Sequence, residues 1–145
     1  MNLDELIINN LEKYMETINF GEHLMIDGYG GNFEKLNDEE SVRKCLDDLV
    51  VKCEMHKLTE TKVFFAKGND TKDPGGWSGY VLIEESHISI HTFPGRGFLS
   101  ADVYTCKNDM ETDLIISHIT EIFQLKETEI NFVKRGTRYP SQNLL

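Results

Sequence analysis

Apolar side chains in the stretch LDELIINNLEKYMETI, residues 3 to 18, fall at Leu3, Leu6, Ile7, Leu11, Tyr14, Met15 and Ile18. That three-and-four spacing gathers one stripe on a helix, and Asn2 stands where an N-cap belongs, so an amphipathic helix is expected. EHLMIDGYGG then reads as a short strand running into a glycine turn. Asn37-Asp38 opens a second helix whose Val42, Leu46, Leu49, Val50 and Cys53 share a face. From ETKVFFAKG onward the period shifts towards two. Strands are expected at about 60–67, 79–85, 87–92 and 98–106, separated in part by the turn-rich GNDTKDPGGWS and PGRG. DLIISHITEIF returns to helical period, ETEINFVK forms a last strand, and the tail RGTRYPSQNLL reads as loop or an interface arm.

The order helix, strand, helix, four strands, helix, strand predicts hairpin-paired neighbours with helices collected on one face. The expected fold is therefore α+β, a two-layer sandwich with a mainly antiparallel sheet. The 145 residues suit one domain spanning 1–145 and a single core. With 25 acidic against 15 basic residues the net charge is -10, which repels a phosphate backbone and an anionic membrane alike. Neither nucleic acid nor membrane is expected as a partner, whereas a cationic small molecule would be drawn in. Cys45, Cys53 and Cys106 make no CxxC pair and no even disulfide framework. The start MNLDELIINN lacks a signal-peptide layout, and no apolar run approaches the roughly 18 to 20 residues that cross a bilayer. A cytoplasmic protein is expected.

The stretch EESHISIHTFPGRG, residues 84–97, does not fit a simple strand. Ile88 and Ile90 point one way while His87, Ser89 and His91 point the other, a polar face that packing alone does not explain. On a strand His87 and His91 lie about 13 Å apart, too far to share one ion, and His23, His56 and His118 belong to no four-ligand pattern, so no metal is expected. PGRG lacks a phosphate-binding lysine, and no GxSxG elbow surrounds Ser86.

The run resembles the self-cleavage segment of the prokaryotic S-adenosylmethionine decarboxylases. Three linked motifs carry the likeness: Glu85-Ser86-His87, His91-Thr92-Phe93-Pro94 and Asp102-Val103-Tyr104-Thr105-Cys106. PGGWSGYVLIEESH matches the family's Pro-x-Gly-x-Ser-Gly lead-in, FGEHLMIDGYGG its first strand and FVKRG its last, so the likeness covers most of the chain beyond about residue 20. The N-terminal helix is an addition to that pattern. The resemblance implies that Ser86 attacks the carbonyl of Glu85 and that the chain splits into a β chain of residues 1–85 and an α chain of residues 86–145. Ser86 would become an N-terminal pyruvoyl group, the only cofactor implied, and would form a Schiff base with the substrate. By the same carry-over His91 is the proton shuttle of processing, Ser78 the hydroxyl that holds the cyclic intermediate, and Cys106 the proton donor of catalysis. A thiol can give and retake a proton near neutral pH, which suits the last role. The resemblance also implies a homodimer of processed protomers.

Two positions depart from the family. Its His-Thr-aromatic-Pro is followed by a Glu that binds the substrate ribose, where this chain has Gly95, and an aromatic expected before the lead-in is replaced by Lys72. A carboxylate contributes about 1.5 to 3 kcal/mol per charge-assisted bond, so nucleoside recognition loses a strong contact. Phe93 still offers a ring for stacking on adenine or a sulfonium. The expected substrate is S-adenosylmethionine, decarboxylated for spermidine synthesis. The alternative is L-arginine or L-ornithine, with Asp27 as acceptor of a cationic group, and a non-catalytic regulatory homologue ranks last because Ser86, His91 and Cys106 are all present.

Overall fold

The protein is described by a computed structural model covering residues 1–69 and 71–145. The side chains of residues 10–15 lie outside the description, and with them the expected face positions Leu11, Tyr14 and Met15. The elements in chain order are α1 (Leu3–Met15), β1 (Thr17–Ile18), β2 (Gly21–Tyr29), α2 (Phe33–Leu36), α3 (Glu39–Lys52), β3 (Lys62–Ala66), β4 (Gly76–Ile83), β5 (Ser86–Phe93), β6 (Phe98–Thr105), α4 (Thr112–Phe123), β7 (Glu127–Arg135) and β8 (Tyr139–Pro140). Six strands form one sheet in the order β3-β4-β5-β6-β2-β7, and every neighbouring pair is antiparallel.

Alternation sorts the strand residues onto two faces. Leu24 and Ile26 of β2, Val81 and Ile83 of β4, Ile88 and Ile90 of β5, and Leu99, Ala101 and Val103 of β6 are buried on one face. Val42, Cys45, Leu46 and Leu49 of α3 and Ile115, Ile119 and Phe123 of α4 join them in a single core. Asp38 caps α3, its carboxylate accepting from the Ser41 N–H. Helix α3 lies close over β4: a Cβ at Gly79 would stand 2.9 Å from Leu46 Cδ1 and 3.0 Å from Val42 Cγ1. The result is the expected α+β arrangement, a helical layer on an antiparallel sheet. The opposite face carries His23, Asp27, Ser78, Tyr80, His87, Ser89, His91, Ser100, Asp102 and Tyr104, all half-buried or exposed.

Three boundaries differ from the sequence expectation. The strand expected at 79–85 runs from Gly76 to Ile83, because Ile83 pairs with Ser86 and leaves Glu84-Glu85 as a two-residue hairpin turn. Helix α1 ends at Met15 rather than near residue 18, since Thr17–Ile18 pair with Tyr139–Pro140. That pairing also ties the tail, expected as loop or an interface arm, to its own chain: Ser141 N–H donates to the Glu16 carbonyl at 3.0 Å, and Tyr139 packs on Phe20 with ring centroids 4.9 Å apart.

Candidate active site

Ser86 is the first residue of β5 and faces Thr105 across the ladder, which sets Cys106 beside the Glu85–Ser86 peptide. The backbone N–H of Cys106 donates to the Glu85 carbonyl at 2.8 Å. A carbonyl polarised in this way is the better electrophile, and the same donor is positioned for the oxyanion that attack on it would form. Ser86 has φ 151°, a region that glycine enters freely and other residues enter under strain. Its neighbour Glu85 keeps its carboxylate largely buried, at 13 % exposure. Two bonds hold that carboxylate: His56 N–H donates to Oε1 at 2.9 Å, and His56 Nδ1 lies 3.0 Å from Oε2. Burial alone would raise the Glu85 pKa, but these bonds outweigh it and hold the group below the usual carboxylate value.

The other expected site residues stand at the far end of the same strands. Ser78 and His91 pair across β4 and β5, with Ser78 Oγ 2.8 Å from His91 Nδ1. His91 also faces Ser100 of β6, and Ser100 in turn faces Asp27 of β2. Phe93 continues into an aromatic row, with ring centroids 5.5 Å from Phe98, which is itself 5.4 Å from Tyr29. The Asp27 carboxyl is raised above its usual value, first by burial and then by the nearby charges of Glu129 and Asp102. Gly95 has room where a side chain would begin: a Cβ there would meet only Pro74, the nearer of its atoms at 3.3 Å.

Five rises of an extended strand separate Ser86 from His91, about 16 Å. One chain thus brings Ser86 together with Cys106, and Ser78 together with His91, Phe93 and Asp27, but it holds the two groups apart. Sequence spacing could not reveal this, because motifs that lie close along the chain need not meet in a hairpin.

Two further groups carry no sequence signal. His56 sits in the loop after α3, remote in sequence from the residue it grips. Between the two ends of the open face, His23 Nε2 lies 2.8 Å from Asp102 Oδ1, and the rings of His23, His87 and Tyr104 meet edge-on or tilted in a cluster capped by Arg135, 4.2 Å from the Tyr104 centroid. Burial, joined by the charges of His23 and Arg135, lowers the pKa of His87. Among the described residues, His56, Glu84 and Glu85 offer ligand atoms within 4.8 Å of one another, although His56 and Glu85 already satisfy each other.

The profile of the S-adenosylmethionine decarboxylase family matches residues 22–136. The S-adenosylmethionine decarboxylase proenzyme of Persephonella marina is 35% identical over 117 residues, which is 81% of this chain and 83% of the relative. The proenzyme of Brevibacillus brevis is 32% identical, covering 84% of this chain and 86% of the relative, and one from Clostridium botulinum is 34% identical, covering 80% and 94%. The crystal structure of the adenosylmethionine decarboxylase from Aquifex aeolicus superposes with a TM-score of 0.72 at 28% identity, covering 87% of this chain and 98% of that one.

Proposed function

The chain belongs to the S-adenosylmethionine decarboxylase family, and we propose that it is a pyruvoyl-dependent carboxy-lyase that makes its own cofactor by cutting the Glu85–Ser86 bond. The observation that carries this reading is the hydrogen bond from Cys106 N–H to the Glu85 carbonyl beside a strained serine. Ser86 Oγ attacks that carbonyl carbon, the C–N bond breaks, the proton passes to the Ser86 nitrogen, and an ester joins Glu85 to the Ser86 side chain. Loss of the Ser86 α-proton then expels the Glu85 carboxylate. Water replaces the nitrogen, ammonia leaves, and the α chain 86–145 begins with a pyruvoyl group while the β chain is 1–85.

When formed, that group supplies an electron sink for the departing carboxyl. Cys106, which follows Thr105, the ladder partner of Ser86, would return a proton to the substrate carbon. Ser78 and His91 assist the cut, and because they stand at the far end of their own chain, they act on a second copy. Two sheets packed by their open faces around a two-fold axis set Ser86 and Cys106 of one copy against Ser78, His91, Phe93 and Asp27 of the other. The half-buried, polar and aromatic character of that face supports such a homodimer.

The substrate reading is S-adenosylmethionine, for spermidine synthesis, and the net charge of -10 favours its sulfonium cation. Three free thiols support a reducing, cytoplasmic setting, and no described helix is long and apolar enough to cross a membrane. One observation favours a second reading: Gly95 offers no ribose ligand, while Asp27 stands close to Glu129 on the open face, where a guanidinium or ammonium would be held. Carbon dioxide release from S-adenosylmethionine, L-arginine and L-ornithine, measured side by side, tests both. Release from S-adenosylmethionine is expected; release from arginine or ornithine alone would replace the substrate reading and keep the chemistry. An uncut chain releasing nothing from any of the three would revive the non-catalytic homologue, ranked last on the sequence.

A further inference from the structure

The loop after α3 grips the hairpin that is to be cut. Residues 56–58 run beside the end of β4: Leu58 N–H donates to the Leu82 carbonyl at 2.9 Å, Lys57 bridges to Ile83, and Glu84 N–H donates to the His56 carbonyl at 2.8 Å. His56 then reaches over the turn to Glu85 and binds both carboxylate oxygens, one through its backbone N–H and one through its ring. The loop is itself fastened to the far side of the cleavage point. Lys107, next to Cys106, donates through Nζ to the carbonyls of Cys53 and Glu54 at 3.3 and 3.2 Å. Glu85 is therefore held twice, by its carbonyl on Cys106 and by its carboxylate on His56. The peptide bond to be broken begins at that doubly held residue.

Ser86 would leave its strained φ unless its surroundings fixed it, and an attack on a carbonyl loses rate steeply when the carbonyl is displaced by as little as about 1 Å. We propose that His56 is a positioning residue for self-cleavage, keeping the Glu85 carbonyl on the Cys106 N–H where Ser86 Oγ can reach it. The inference rests on the reading that the chain cuts itself at Glu85–Ser86. His56 and Glu85 both belong to the β chain, so the clamp also survives the cut and retains the new chain end. The charged groups that face the His56 ring are Glu85, Glu84 and Lys107. The bond to Glu85 comes first among the causes that raise its pKa above the ordinary histidine value. The ionic part of the clamp is present at low pH and lost as pH rises through that raised value.

Cutting is followed by denaturing gel on freshly translated wild type, Ser86→Ala, His56→Ala and His56→Asn between pH 5.5 and 9. Wild type is expected to cut and Ser86→Ala to stay whole. His56→Ala is expected to cut about fivefold more slowly, the modest figure fitting a ring that is 70% exposed. Asparagine carries an amide N–H to the place of Nδ1 without titrating, so His56→Asn recovers most of the rate, and the ratio of wild type to His56→Asn falls towards one as pH rises past the histidine value. A merely structural role would leave that ratio flat. If His56→Ala does not fold, as a melt would reveal, the pH-dependent ratio for His56→Asn decides. Equal rates for wild type and both His56 variants at every pH overturn the positioning role and leave self-cleavage standing; an uncut wild type overturns both.

Discussion

Two residues beside the proposed cut, Cys106 and Ser86, each carry an independent consequence. Cys106 donates its backbone N–H to the Glu85 carbonyl, and the proposed mechanism gives its thiol a second role, so a side-chain substitution separates the two. Cys106→Ala should still split into two fragments, while decarboxylation falls by about 100-fold or more, the usual worth of a positioned proton donor. Steady-state turnover and a gel on the same sample check both halves. Ser86 at φ 151° makes a second prediction. Of two uncut variants, Ser86→Gly should be more stable than Ser86→Ala by about 1 kcal/mol, since relief of the strained backbone exceeds glycine's entropic cost in the unfolded chain. Thermal melts of the two proteins measure the difference, and an alanine variant as stable as the glycine one would show that the serine backbone stores no strain.

Among the elements, the pairing of α3 with β4 depends on a missing side chain. Gly79→Val would force the helix off the strand at Leu46 and Val42, and is expected to destabilise the chain by about 1 to 3 kcal/mol, read as a lower denaturation midpoint. Periodicity made α3, α4 and the central strands legible, because Ile88 and Ile90 alternate with His87, Ser89 and His91 and pack, with Val81 and Ile83, in a single core. Ends were less legible. Glu84 and Glu85 carry no turn signal such as Asn-Gly, so nothing local announced that β4 stops at Ile83, and the Thr17–Ile18 pairing with Tyr139–Pro140 joins segments too distant for any local pattern. Ser86, Cys106, Ser78 and His91 were legible through motif order alone. The grouping of the first two at one end of the strands and the last two at the other was not, since it depends on register, and His56 has no motif at all.

For the whole molecule, the separation of about 16 Å between Ser86 and His91 means that, on the proposed reading, two chains complete the site. Ser86→Ala and His91→Ala should each be uncut, or cut very slowly, when produced alone. Produced together, a mixed pair places the intact His91 of one chain against the intact Ser86 of the other, so a share of the His91→Ala chains should be cut. No cutting in co-produced samples that contain mixed dimers would return His91 to its own chain or remove it from processing. Whether this chain cuts itself between Glu85 and Ser86 and converts the serine is decided by the intact mass of the purified wild-type protein. Two fragments are expected, residues 1–85 with a free carboxylate and residues 86–145 lighter by one ammonia than a serine-ended chain would be once water has replaced the nitrogen as a keto oxygen. A single uncut mass, or a C-terminal fragment that still begins with serine, would contradict self-processing.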